Sequence, residues 1–225
     1  MIAQPPRTGI ACHRISIDLE VAGCLVALAI DETAQEASES VEAARLAEDL
    51  VATRIGCDRR LVRVATLMPS GRPVAMVRGR LDAISVSVSH TGGTIGAAVC
   101  EMAAVGLDIV DPAEAGPSLE SWFTPDELAS FPNEDGLLRS RLWGAKESAF
   151  KAARLDDRFR PRSVAIEDLG PVSFRWSIRG THAHPRGLGM FTRAGKHLVA
   201  VAVAPDHRVA AGCRAASLWE AAPCS

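Results

Sequence analysis

A chain of 225 residues with 48% hydrophobic and 23% charged residues has the composition of a soluble globular protein, as one domain or two small ones in contact. Its net charge of −2 argues against a general nucleic-acid binder, whose footprint would be basic. No apolar run reaches membrane length and no charged start leads into a cleavage site, so no membrane partner is expected and cytoplasm is the default compartment.

Residues 1–9 read as a loose arm. Ile10 to Ile30 is strand material, with Ile15, Ile17 and Leu19 alternating against Ser16 and Asp18. An acidic loop over Asp31 to Ser40 leads into a helix capped by Ser38 or Ser40. That helix is expected to carry Val41, Ala44, Leu46, Ala47, Leu50 and Val51 inward and to stop at Gly56. Leu61 to Leu67 reads as a strand and Pro69-Ser70-Gly71 as a turn. Between Arg54 and Arg80 lie seven arginines and one acid, Asp58, which could face an anion or form a solvated surface. Six scattered cysteines without a CxxC pair indicate reduced usage, and His182 and His184 fall in a Gly/Pro-rich loop.

Ile84 to Ser89 is the cleanest alternation, with Ile84, Val86 and Val88 on one face and three serines on the other. It delivers Ser89 and His90 to a strand end, Thr91-Gly92-Gly93 turns the chain, and Thr94 to Cys100 returns. At its end His90 could contact a ligand or be a satisfied structural histidine. Val105 to Val110 is an apolar strand interrupted by Asp108, an acid that needs a partner if buried. Thr124, Pro125 and Glu127 form a helix start. A largely apolar helix follows over about Leu137 to Arg154, with Leu138, Leu142, Ala145 and Ala149 as one stripe. It holds Lys146 and Lys151, two of the three lysines in the chain, and sets Glu147 and Lys151 one turn apart. That spacing fits an ordinary ion pair as well as a functional site. Strands then follow at Ser163–Glu167, Val172–Ile178, Leu188–Thr192 and His197–Ala204, with a short one after Val209.

The order suggests an α+β fold of two halves, residues 1–104 and 105–225. Asp108 on a strand, Glu147 and Lys151 on a helix and His90 at a strand end can converge. Two carboxylates from separate elements repel unless a cation lies between them. With oxygen ligands alone Mg²⁺ is the natural guess, completed by water and a substrate phosphate that Lys151 could reach.

Five segments in order then resemble the 4′-phosphopantetheinyl transferases of the two-lobed, surfactin-synthetase-activating (Sfp-like) class. They are Gly71-Arg72-Pro73, Val88-Ser89-His90-Thr91, Gly106-Leu107-Asp108-Ile109, Phe123-Thr124-Pro125-Asp126-Glu127, and Trp143-Gly144-Ala145-Lys146-Glu147 with Lys151. The resemblance implies two similar α+β lobes related by a pseudo-two-fold, with the active site between them. It implies transfer of the phosphopantetheine arm of coenzyme A to a serine of an apo acyl or peptidyl carrier protein, releasing adenosine 3′,5′-bisphosphate, by a monomer. Asp108 and Glu147 would hold Mg²⁺, Glu147 would take the serine proton, and Lys151 would neutralise phosphate charge. Arg45, Arg72, Ser89, His90, Lys146 and Lys151 would contact coenzyme A. The sequence departs from the pattern at Val110, where a third acid is frequent, at Gly144, and in an acidic stretch ahead of the first helix. A binding module that kept the fold is the alternative these departures leave open.

Overall fold

The computed structural model describes residues 14–32, 39–131, 133, 136–155, 158–180 and 185–205. Ser38, the His182/His184 pair and the strand expected after Val209 lie outside them.

Strands β1 (Ile15–Val21) and β2 (Cys24–Glu32) form a hairpin, and α1 (Glu39–Ile55) follows. β3 (Val62–Leu67), β4 (Arg72–Val77) and β5 (Arg80–Leu81) make a small three-stranded sheet. β6 (Ser85–Thr91) and β7 (Thr94–Cys100) complete a four-stranded antiparallel sheet in the order β1-β2-β7-β6. After β8 (Ala103–Val110) come α2 (Pro125–Ser130) and α3 (Leu138–Ala153). β9 (Val164–Leu169), β10 (Ser173–Ile178), β11 (Arg186–Ala194) and β12 (His197–Pro205) then join β8 in a five-stranded antiparallel sheet, ordered β8-β12-β11-β10-β9. The architecture is α+β, with two large antiparallel sheets each covered by one long helix.

Three apolar cores follow from the alternation of the strands. Ala43, Leu46, Ala47, Leu50 and Val51 of α1 pack on Val86, Ile95, Ala97 and Val99 of the four-stranded sheet. Leu138, Leu142, Ala145 and Ala149 of α3 pack on Leu198, Ala200 and Ala202. Between the sheets, Leu28, Ile30 and Ala98 meet Leu107, Ile109, Val199 and Val201. Val41, expected inward, is instead 57% exposed. It lies two residues, about 200° of helix, from Ala43 and so points off the buried stripe. Gly56 ends α1 in the left-handed region at φ 67°, as its place in the sequence suggests.

The serines of β6 do not face water. Ser85 and Ser87 are buried and accept hydrogen bonds from the backbone N–H of Val105 and Leu107, each at 2.9 Å, and Ser89 accepts from Ile109 at 3.2 Å. β8 is an edge strand, and a buried edge must find partners for its N–H groups. Three serines at a two-residue period supply them where no further described strand does. The polar alternation thus joins the two sheets and fixes β8 in register with the end of β6.

Gly106 lets α3 lie flush on β8. A Cβ there would overlap the Ser148 carbonyl and the Ala152 nitrogen, both helix backbone that cannot swing aside. Gly106→Ala is expected to cost about 2–3 kcal/mol by forcing α3 off the strand, read as a fall in chemical-denaturation midpoint.

Candidate functional site

β8 and α3 bring three charged groups together. Asp108 is buried, and its Oδ1 accepts from Ser89 Oγ at 3.1 Å and from Lys151 Nζ at 3.3 Å. Lys151 Nζ also lies 3.2 Å from Glu147 Oε1 and donates to the Leu107 carbonyl at 2.9 Å. The Glu147–Lys151 spacing is therefore an i,i+4 ion pair, and the same ammonium also engages the acid on the neighbouring strand. The other Asp108 oxygen, Oδ2, is buried without a hydrogen-bond partner.

That environment shows in the charges. Burial lifts the Asp108 carboxyl to about 7; Lys151 opposes this, Glu147 reinforces it, and the hydrogen bonds from Lys151 and Ser89 oppose it in smaller measure. Burial also pulls Lys151 down, but the charges of Asp108 and Glu147 outweigh it and the net shift is upward. Lys151 thus keeps its proton more firmly than a free lysine, and Asp108 keeps its own to higher pH than an exposed carboxylate.

Two cavities meet at these residues. One, of about 340 Å³, is lined by Ser40, Thr66, Gly71, Pro73, His90 and Lys151, among others. The second, of about 290 Å³, is lined by Asp108, Val110, Leu119, Trp143 and others. Ser89, His90 and Glu147 line both. The cleft thus draws on β6, α1 and the β3–β4 turn from one half of the chain, and on β8 and α3 from the other.

His90 stands at the junction with its side chain 42% exposed. Its Nδ1 lies 2.9 Å from Glu39 Oε2 and its Nε2 lies 3.2 Å from Ser40 Oγ. Glu39 Oε1 also accepts from Gly93 N at 2.6 Å, so this buried carboxylate fixes both the ring and the turn after it. Glu39 does not stand out in the sequence because it lies in the acidic stretch Asp31 to Ser40, which reads as loop. Its place directly after Ser38, one of the two candidate caps, puts an acid in the first turn of the helix and is the available signal.

The expected coenzyme A contacts separate in space. Lys146 is not in the cleft. It is 0% exposed, and its Nζ donates to Glu127 Oε1 at 2.6 Å, Pro161 O at 3.0 Å and Val164 O at 2.5 Å. All three donors of an ammonium are used, which leaves none for a ligand. Glu127 is the acid of the α2 capping box, its Oε2 accepting from Thr124 N at 2.9 Å. Ser89 touches the cleft, but its hydroxyl serves Asp108 and Ile109. Arg72 does not line either cavity and donates to the Arg154 carbonyl at the end of α3, at 3.4 Å. Arg45 is exposed beside Arg59 and Arg63 in an adjoining depression, which shares Ser40 and Ala44 with the cleft. Arg59 there is already paired with Glu48 and Asp49.

Asp111, one residue beyond Val110, pairs with Lys196 Nζ at 2.5 Å and accepts from Ala113 N, and the Lys196 hydrogen bond is the main cause holding its carboxyl below the usual range. Among the described residues no cluster of three or more His, Cys, Asp or Glu could hold a metal. A hard divalent cation nevertheless fits what Asp108 and Glu147 offer. Both donors are carboxylates, and Asp108 Oδ2 is a buried oxygen without a partner among the described residues. Mg²⁺ is commonly held by one or two carboxylates, with water and substrate phosphate completing the shell.

No described helix is long and apolar enough to cross a membrane. None of the curated proteins matches the chain. Residues 104–201 match the family model described as the 4′-phosphopantetheinyl transferase superfamily. That span begins within β8, includes α3 and ends within β12, so it contains Asp108, Glu147 and Lys151 together. Over residues 104–201 the chain therefore carries a 4′-phosphopantetheinyl transferase superfamily domain.

Proposed function

We propose that the protein transfers the 4′-phosphopantetheine arm of coenzyme A to a serine hydroxyl of an apo carrier protein, acyl or peptidyl, in a Mg²⁺-dependent reaction. The observation that carries this reading is the convergence at an open cleft of Asp108, Glu147 and Lys151, all three inside the matched span. The two halves, residues 1–104 and 105–225, are read as similar lobes of the two-lobed, surfactin-synthetase-activating class, each a sheet with one long helix. The molecule is read as a cytoplasmic monomer.

Asp108 and Glu147 would hold the metal, which when bound supplies Lewis-acid stabilisation of the pyrophosphate. Glu147 is placed to take the proton from the carrier serine, because it lines both cavities and is half-exposed. Lys151, one turn along α3, is placed to neutralise charge gathering on the phosphate that is attacked. His90, oriented by Glu39 and exposed where the two cavities join, is placed to bind a phosphate of coenzyme A once its Nε2 exchanges Ser40 Oγ for that anion. The cationic depression with Arg45 adjoins that end of the cleft. Ser89 acts through Asp108 as a positioning residue.

The test is intact-mass analysis of apo carrier proteins from fatty-acid, polyketide and peptide synthesis, incubated with the protein, coenzyme A and Mg²⁺. Gain of one phosphopantetheine arm on any of them is the expected result. Binding of coenzyme A with no transfer to any carrier would favour a binding module, the reading that Val110 in place of a third acid supports.

A further inference from the structure

Lys151 bridges Asp108 Oδ1 and Glu147 Oε1, the position that a cation shared by those two oxygens would take. Its Nζ is 3.3 Å from one carboxylate and 3.2 Å from the other, and the Leu107 carbonyl anchors it at 2.9 Å. The ammonium is the internal counter-ion of two acids that would otherwise repel across the cleft. A divalent cation and an ammonium cannot both stand at contact distance from the same pair of carboxylates without strong mutual repulsion. The lysine stem is flexible, and Lys151 lines the larger cavity, so an anion entering there offers the ammonium a new partner.

Resting on the transferase reading above, we propose that Lys151 is a displaceable placeholder for the metal. It holds the carboxylates in the free protein, disfavours metal binding there, and releases them when the pyrophosphate of coenzyme A draws its ammonium into the cavity. Metal and nucleotide then load together, since each is more favourable once the other has moved Lys151. A free protein that resists divalent ions is also spared unproductive occupation of its base, Glu147.

Mn²⁺, read through loss of its free-ion electron paramagnetic resonance signal, is the probe, titrated into the full chain at pH 8 without coenzyme A. Lys151→Met is expected to bind Mn²⁺ at least about tenfold more tightly than the wild type, because one like charge at contact distance is gone. Lys151→Arg, which keeps the charge, is expected to stay as weak as the wild type. Lys151→Gln retains a donor for the Leu107 carbonyl and is expected to show the same gain as Met should the Met variant not fold. Mn²⁺ is further expected to raise the melting temperature of the Met or Gln variant by several degrees more than that of the wild type. Equal or weaker Mn²⁺ binding in both neutral variants would overturn the proposal. The mass assay judges transfer separately, so no transfer alongside tighter Mn²⁺ binding would sink the transferase reading and leave the placeholder standing.

Discussion

Glu147→Gln is expected to lower carrier modification by about 10²–10⁴-fold, the usual loss when a positioned general base is removed. Asp108→Asn is expected to lose transfer as well, by weakening the metal site. The two variants separate in stability. Asp108 is buried and its carboxyl is lifted to about 7, against an ordinary value of 3.8. Below about pH 4 the acid is protonated in both folded and unfolded chains and contributes no pH dependence. Between about 4 and 7 the folded chain holds the proton and the unfolded chain does not, so stability falls as pH rises through that window. Asn carries no such proton. Asp108→Asn is therefore expected to melt no lower than the wild type at pH 8 and to lose the decline in stability between pH 4 and 7. Melting curves across pH, beside intact-mass assays, check both halves. Transfer surviving in both variants would sink the metal and base assignments.

Element extents are legible where periodicity and punctuation agree, while β4 and β5 go unmarked in the sequence and β1 and β2 run together as Ile10 to Ile30. Gly56 closes α1, Thr124 and Glu127 box α2, and apolar runs bounded by turns mark β7 and β12. Partners were not legible. The alternation of Ser85, Ser87 and Ser89 has the same pattern whether serines meet water or the edge of another strand. Only the position of β8 decides, and that is a property of the assembled sheets. Glu39 and His90 are 51 residues apart, and no local signal links them. The Glu147–Lys151 spacing could be read, but the third member, Asp108, enters through packing of α3 on β8 at Gly106. Lys146 and Lys151 look alike in the sequence, both on α3 near Glu147. Five residues of helix turn them about 140° apart, enough to send one into the core and the other to the cleft.

That separation predicts opposite phenotypes for the two lysines. Lys146→Met is expected to destabilise the fold by about 3–5 kcal/mol, because removing one partner of a buried pair strands the other charge. Burial pulls the Lys146 ammonium below its usual value, and the hydrogen bond and charge of Glu127 work against that. Removing Lys146 leaves Glu127 Oε1 and the carbonyls of Pro161 and Val164 without their donor. In a domain of this size the cost corresponds to a fall in melting temperature on the order of 10 °C. Lys146→Met/Glu127→Met is expected to recover part of the loss, limited by the capping hydrogen bond that Glu127 also accepts from Thr124. Below the melting transition, the KM for coenzyme A of Lys146→Met is expected to match the wild type, since the ammonium it removes lies in the core. A lysine that contacted coenzyme A would give the reverse, a raised KM with little change in melting temperature. Melting curves and coenzyme A titrations on the same samples distinguish a buried pin that fixes α3 against α2 and β9 from a residue of the ligand site.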